Sequence, residues 1–211
     1  MGGTALSNGK FIVLEGPEGC GKSTQIVTLC GRLEAEGHKV RLVREPGGTA
    51  IGEKLRGVLL DASNTSMTVG TELLLYMACR AQLVHEVIRP ALEEGYIVAA
   101  DRFLTSTIVY QGIAGGMGAE EVRKLYRETC GDVEPDLVVV LDVPADVGLS
   151  RVQRSFDRME SKPMTFHRRV RDGYLAVAKS EPQTYVVVDA SGPPDEVAET
   201  VWREVKQRVL S

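Results

Sequence analysis

Cysteine, aromatic residues and long apolar runs are all scarce in this chain, and each scarcity removes a class of protein. The four cysteines, Cys20, Cys30, Cys79 and Cys130, are scattered, with no C-x-x-C pair and no nearby histidines. That argues against a zinc site and a disulfide framework, and for free thiols in a reducing, cytoplasmic setting. No apolar stretch approaches the roughly 20 residues of a membrane span. The start, Met1-Gly2-Gly3-Thr4-Ala5-Leu6, lacks a signal-peptide core and the Ser or Thr of a myristoylation site, so residues 1–9 read as a loose flexible tail. An excess of positive charge is missing as well: the net charge is −4, which gives no general attraction to nucleic acid and requires any basic residues that matter to be gathered locally. Repeats, low-complexity tracts and inter-domain linkers are absent.

What the chain does contain is a core's worth of apolar residues, 43% of 211, with 26% charged. This suits one compact domain, 1–211, with a small mobile insertion. Short runs of Val, Ile and Leu alternate with segments of helical period, the pattern of an α/β protein whose parallel sheet is covered by helices on both faces. Five strands are expected near 11–15, 39–43, 96–101, 137–142 and 185–189. Helices are expected near 22–36, 51–60, 71–93, 105–111, 120–129, 145–154, 166–178 and 194–209. In such a sheet the residues just after each strand face the binding crevice.

The first of those positions carries the sharpest signal, Gly16-Pro17-Glu18-Gly19-Cys20-Gly21-Lys22-Ser23-Thr24. Gly16, four residues, then Gly21-Lys22-Ser23 is a phosphate-binding loop: backbone N–H groups turn inward around a polyphosphate and a helix begins at the anion. Lys22 can reach the outer phosphates and the Ser23 hydroxyl can ligate Mg²⁺. After the second strand, Arg44-Glu45-Pro46-Gly47-Gly48-Thr49 either sets a cation beside this loop or is a simple strand-to-helix turn. After the third, Asp101-Arg102-Phe103 offers a carboxylate for a water of the Mg²⁺ shell and an arginine for a phosphate, with a structural ion pair as the alternative.

These motifs, together with LLYMACRAQ, DRFLTSTIVYQG, PDLVVVLDVP and DRME, resemble those of the thymidylate kinases, which phosphorylate dTMP with ATP and Mg²⁺. The resemblance runs from about Phe11 to the C-terminus. It implies the P-loop nucleoside monophosphate kinase fold, a five-stranded parallel sheet with a short arginine-bearing lid, and a homodimer. It also implies ATP at Gly16 to Thr24. dTMP is expected near Glu18, Arg44, Pro46, Tyr76, Arg80, Arg102, Thr107, Tyr110 and Gln111, with Glu18 at its 3′-hydroxyl and Tyr76, Arg80 and Thr107 at the base. Tyr76 and Arg80, four apart on one helix, share a face, while Leu73, Met77 and Val84 read as core. A core position is the alternative for Tyr76, but Arg80 one turn on would then lie close to an apolar interior. Tyr110 is expected to crowd out a ribose 2′-hydroxyl.

Arg151, Arg154 and Arg158 fall in a segment, about 151–165, that in isolation reads as a solvated face. Because Glu18, Gly19 and Cys20 bring no cation to the loop, the resemblance assigns the charge clamp to the lid, Arg154 first and Arg158 second, with Arg151 stacking on adenine. Arg168, Arg169 and Arg171 oppose Phe166, Val170 and Tyr174 and read as an exposed face. A kinase for another nucleotide, or for a deoxynucleoside, is the nearest rival. A nucleotide-dependent switch is the more distant one, although no Asn-Lys-x-Asp guanine signature is present.

Overall fold

The computed structural model describes residues 9–211, so the expected tail lies, but for Gly9, outside the described residues. Five parallel strands form one sheet: β1 (Lys10–Glu15), β2 (Val40–Arg44), β3 (Ile97–Asp101), β4 (Leu137–Asp142) and β5 (Tyr185–Asp189). Their order is β2-β3-β1-β4-β5. β1 therefore sits in the middle, with β3 and β4 on either side, in registers that pair Leu14 with Asp101 and with Val139. The ends of β1 and β3 thus open onto the same edge of the sheet. Strand assignments from the apolar runs hold within one residue, because strands buried on both faces read as continuous β-branched stretches.

Two apolar cores sandwich the sheet. On one face, Ile12, Leu14, Ala99, Val139 and Leu141 pack against Ile26, Leu29 and Leu33 of α1 (Lys22–Ala35) and Val201 and Val205 of α9 (Pro194–Val205). On the other, Phe11, Val13, Val98, Val138 and Val140 meet Leu73 and Met77 of α3 (Val69–Leu83), Val122 and Tyr126 of α6 (Ala119–Cys130), and Val170 and Tyr174 of α8 (Met164–Ser180). Leu73, Met77 and Val84 are core, as their spacing implied. The four thiols are free and buried. None of the described helices is long and apolar enough to cross a membrane.

Three helical expectations are corrected. The segment 71–93 is not one uniform helix: α3 passes through a π-helical turn, Val84–Ile88, into α4 (Arg89–Glu93). Pro90 explains the widened turn, since it has no N–H for the carbonyl of Glu86 and its ring crowds that oxygen in α geometry. The segment after β3 is α5 (Leu104–Thr107) running into a π-helical stretch, Ile108–Ala114. The helix expected over 145–154 stops early, as α7 (Ala145–Ser150). There the Arg151 side chain reaches across to donate to the carbonyls of Ala190 (3.0 Å) and Ser191 (3.1 Å), just beyond β5. The chain then runs without regular helix to Met164, so the insertion is about two residues shorter than expected.

Leu33 is fully buried and Val27, on the same helix, is exposed. Leu33→Ala should lower unfolding free energy by about 2–5 kcal/mol, whereas Val27→Ala should stay within about 0.5 kcal/mol. Urea titrations of both variants check this, and similar losses would contradict the two-core arrangement.

Candidate active site

Backbone geometry at the end of β1 makes the anion-binding loop. Gly21 has φ 92° and ends the loop directly before Lys22 starts α1, and no side chain caps the first amides of the helix, which leaves this terminus suited to an anion. The loop rests on α7: a Cβ on Gly19 would lie 1.8 Å from the carbonyl oxygen of Gly148, and one on Gly148 would lie 2.2 Å from that of Glu18. Only hydrogen fits at either contact. The loop and the helix that leads into the lid therefore touch backbone to backbone.

Side chains converge around this loop. Lys22 Nζ folds back to donate to the carbonyls of Gly16 (3.0 Å) and Pro17 (2.8 Å), with Cys20 Sγ at 3.3 Å. Ser23 Oγ donates to Asp101 Oδ2 at 2.8 Å, joining two residues 78 positions apart. A hydroxyl and a carboxylate are the hard oxygen donors that Mg²⁺ prefers, and two protein groups leave room for phosphate oxygens and water. The donor set at Ser23 and Asp101 therefore fits that ion.

Arg102 is the one non-glycine among the described residues with positive φ, at 71°. Such a backbone costs on the order of 1–3 kcal/mol and persists only where its surroundings over-determine it. They do so here through Glu15, which is fully buried at the end of β1. Its carboxylate accepts from the backbone N–H of Phe103 (2.9 Å) and Ser106 (3.0 Å), the Ser106 hydroxyl (2.6 Å) and the Tyr174 hydroxyl (3.0 Å). The Arg102 guanidinium in turn donates to Ser106 Oγ and Tyr174 OH, both at 3.0 Å, and to the Gly16 carbonyl at 3.1 Å. Its remaining edge faces Glu18 at 3.0 Å. Glu18 also accepts from Tyr110 OH at 2.8 Å. Burial alone would raise the Glu18 carboxyl, but Arg102, Lys22 and the Tyr110 hydroxyl outweigh it and hold its pKa down at about 2.

The cleft above these groups has a volume of about 750 Å³. The loop residues Glu18 to Thr24 line it together with Tyr76, Arg80, Thr107, Tyr110 and Gln111. Arg80 lines the cleft, as its sequence reading expected, but it is also deeply buried. It is 1% exposed, in the apolar interior that the sequence reading had weighed against. Glu45 makes this possible, accepting from Arg80 Nε at 2.9 and 3.1 Å. Arg80 Nη2 also donates to Thr107 Oγ1 (2.9 Å) and to the Phe103 carbonyl (3.1 Å). A buried arginine is tolerated when paired and hydrogen-bonded in this way.

Two arginine readings change, those of Arg158 and Arg171. Arg158 is buried and does not line the cleft: its Nε donates to the Leu59 carbonyl at 2.9 Å, and its Nη1 pairs with Glu72. The reason is that buried Glu72 needs cations nearby, so the second-choice clamp is spent on anchoring the lid. Arg154 lines the cleft, its side chain 62% exposed and paired with Glu160 at 2.7 Å. Arg171 is not simply solvated, since it grips Asp142 at the end of β4 with two bonds of 2.8 Å. Arg44 lines the cleft and pairs with Glu53 at 3.0 Å; Pro46 and Arg151 line it too.

Sequence reasoning missed Arg56, Glu45 and Ser106. Arg56 lines the cleft and donates to the Pro46 carbonyl at 2.6 Å. A signal existed: on α2 (Ala50–Leu60) the positions 49, 52, 53 and 56 share a face, and Thr49, Gly52 and Glu53 all tie back to the preceding turn.

A parallel sheet of this order, a phosphate loop between β1 and α1 and an arginine-bearing segment beside it define a P-loop nucleoside monophosphate kinase. The family model described as thymidylate kinase matches residues 14–201. A thymidylate kinase of Deinococcus radiodurans is 47% identical over 205 residues, covering 96% of this chain and 99% of that protein. One of Pelobacter propionicus is 46% identical, with 96% of each covered. The crystal structure of thymidylate kinase from Ehrlichia chaffeensis superposes with a TM-score of 0.79 at 31% identity, covering 93% of this chain and 98% of that one. The chain belongs to the thymidylate kinase family.

The depressed carboxyl of Glu18 gives a pH test. An acid whose folded pKa lies below its unfolded value stabilises the fold above the unfolded pKa, near 4.5, and that contribution fades as pH falls towards about 2. The stability advantage of the wild type over Glu18→Gln should therefore be full at pH 6 and shrink between pH 5 and pH 2. Chemical denaturation across that range measures it, and a gap that does not vary with pH would contradict the pairing with Arg102.

Proposed function

We propose that the chain catalyses direct in-line transfer of the ATP γ-phosphoryl group to the phosphate of dTMP, giving dTDP and ADP, in the service of dTTP synthesis. The observation that carries this reading is the layout of the cleft, where loop, Ser23, Asp101 and Arg102 share one edge and a pocket with Tyr76, Arg80, Thr107 and Gln111 opens beside it. ATP phosphates would lie on the loop amides and draw Lys22 Nζ off the carbonyls of Gly16 and Pro17. The acceptor phosphate would take Arg102, already aimed by Ser106 and Tyr174, with Arg44 as a further cation. Tyr76 would stack on the base, and Arg80 would donate to its edge. Glu18 and Tyr110 would face the sugar, where their mutual bond leaves little room for a 2′-hydroxyl.

The acceptor is already an anion, so no strong general base is required. The barrier is the approach of two anions and the spread of charge in the transition state. Mg²⁺, held through Ser23 and Asp101, supplies charge neutralisation at the phosphate oxygens when bound. Lys22, Arg102 and Arg154 supply the rest. For Arg154 this means exchanging its two bonds to Glu160 for phosphate as the lid closes, with the Asp157 backbone N–H remaining as a donor to that carboxylate. Closure also excludes water and limits idle ATP hydrolysis. The expected setting is a cytoplasmic homodimer that binds neither nucleic acid nor membrane, with α3 as a contact surface; gel filtration addresses the dimer.

ADP release should depend on added dTMP, and a panel of dTMP, dUMP, dCMP, AMP and thymidine should show dTMP as the preferred acceptor. Arg102→Ala should lower kcat by roughly 10²- to 10³-fold. Arg154→Ala should lower kcat far more than it weakens dTMP binding. Steady-state kinetics decides: ADP release without dTMP would favour a switch, and a normal kcat for Arg154→Ala would remove it from the clamp.

A further inference from the structure

Glu72, in the first turn of α3, is a buried carboxylate that does not line the cleft. Three donors meet on it from two parts of the chain. Its Oε2 accepts from Gln111 Nε2 at 3.1 Å, and its Oε1 accepts from Lys162 Nζ at 3.2 Å and from Arg158 Nη1. Two cations from the lid thus compensate the buried charge, and the remaining oxygen is given over to an amide that does line the cleft.

That last contact has a chemical consequence. An ionised carboxylate only accepts hydrogen bonds, so it orients the Gln111 amide one way round, with the NH₂ toward Glu72. The reverse orientation would set two acceptor oxygens together in a buried site and leave both unsatisfied. Gln111 Oε1 has no protein donor and is not among the buried unpaired side-chain atoms of the described residues, so it opens to the cleft. Arg80, in the same lining, carries only donors, and among its nitrogens Nη1 has no oxygen partner within the protein. The base pocket is therefore set as donor plus acceptor.

We infer that Glu72 is a positioning residue for base selection: by fixing the Gln111 amide, it makes Oε1 the group that meets N3 of the pyrimidine. Thymine carries hydrogen on N3 and satisfies that oxygen. Cytosine carries a lone pair there and would face it unpaired. The inference rests on the reading of the cleft as a dTMP site. It adds a residue outside that site as the determinant of which edge the amide shows.

The test compares kcat/KM for dTMP and dCMP. Glu72→Gln keeps the shape but can donate as well as accept, so the Gln111 amide can turn over. The ratio of kcat/KM for dTMP to that for dCMP should fall by roughly 3- to 10-fold, the worth of one net hydrogen bond. Lys162→Met removes a cation from the same carboxylate without touching Gln111, and should leave the ratio at its wild-type value whatever it does to rate. In a Gln111→Met background, Glu72→Gln should shift the ratio no further. A ratio for Glu72→Gln within about twofold of wild type, or an equal shift in the Gln111→Met background, would overturn the assignment. Should Glu72→Gln not fold, Glu72→Asp, which withdraws the carboxylate by one methylene, takes its place under the same criteria. Calorimetry of wild-type binding separates the two levels: no preference for dTMP over dCMP sinks the functional reading and this inference together, whereas a preference unaltered by Glu72→Gln sinks this inference alone.

Discussion

At the centre of the molecule, the carboxylate of Glu15 is fully buried and accepts from two backbone amides and two hydroxyls. It belongs to the middle strand, yet every one of its partners belongs to segments that come after β3 or the lid. An unpaired buried carboxylate is costly, so these segments can reach low free energy only by closing on it. The left-handed backbone at Arg102 follows from that closure, as does the aim of its guanidinium, because the hydroxyls that donate to Glu15 are those that accept from Arg102. Strain at one residue is thereby offset by a set of bonds around it.

The same device recurs outward through the cleft. Glu45 compensates buried Arg80 and receives it from α3; Glu72 gathers Gln111 with two lid cations; Glu160 holds Arg154 at the mouth. The first two join an acid from one element to groups from another, whereas Glu160 and Arg154 both belong to the lid. Depth separates their roles. The pairs around Glu15, Glu45 and Glu72 are enclosed and set geometry, whereas Arg154 is mostly exposed at the mouth, held by two bonds to the buried Glu160. A cleft that must bind polyanions needs cations that are aimed in advance, with a few of them free to move.

The contact between Gly19 and Gly148 gives this arrangement a mechanical side. Loop and α7 touch through backbone alone, and α7 passes directly into the segment that carries Arg151 and Arg154. Neither partner has a side chain to yield there, so loop and helix are packed without slack at this contact.

Much of the architecture was legible in the chain itself. Continuous Val, Ile and Leu runs could only be strands buried on both faces, and their alternation with amphipathic segments could only make a parallel sheet. The phosphate loop announced itself because its glycines meet a local steric demand, and Tyr76 and Arg80 reach one cleft because helical period is local as well. What the chain alone left open depends on partners distant in sequence. Arg80 becomes a buried residue of the cleft lining through Glu45, 35 positions away, and Arg158 becomes an anchor through Glu72, 86 positions away. Charge pattern shows where cations lie along the chain, but only the packed structure decides which of them find an acid, since desolvation and pairing are set by three-dimensional neighbours.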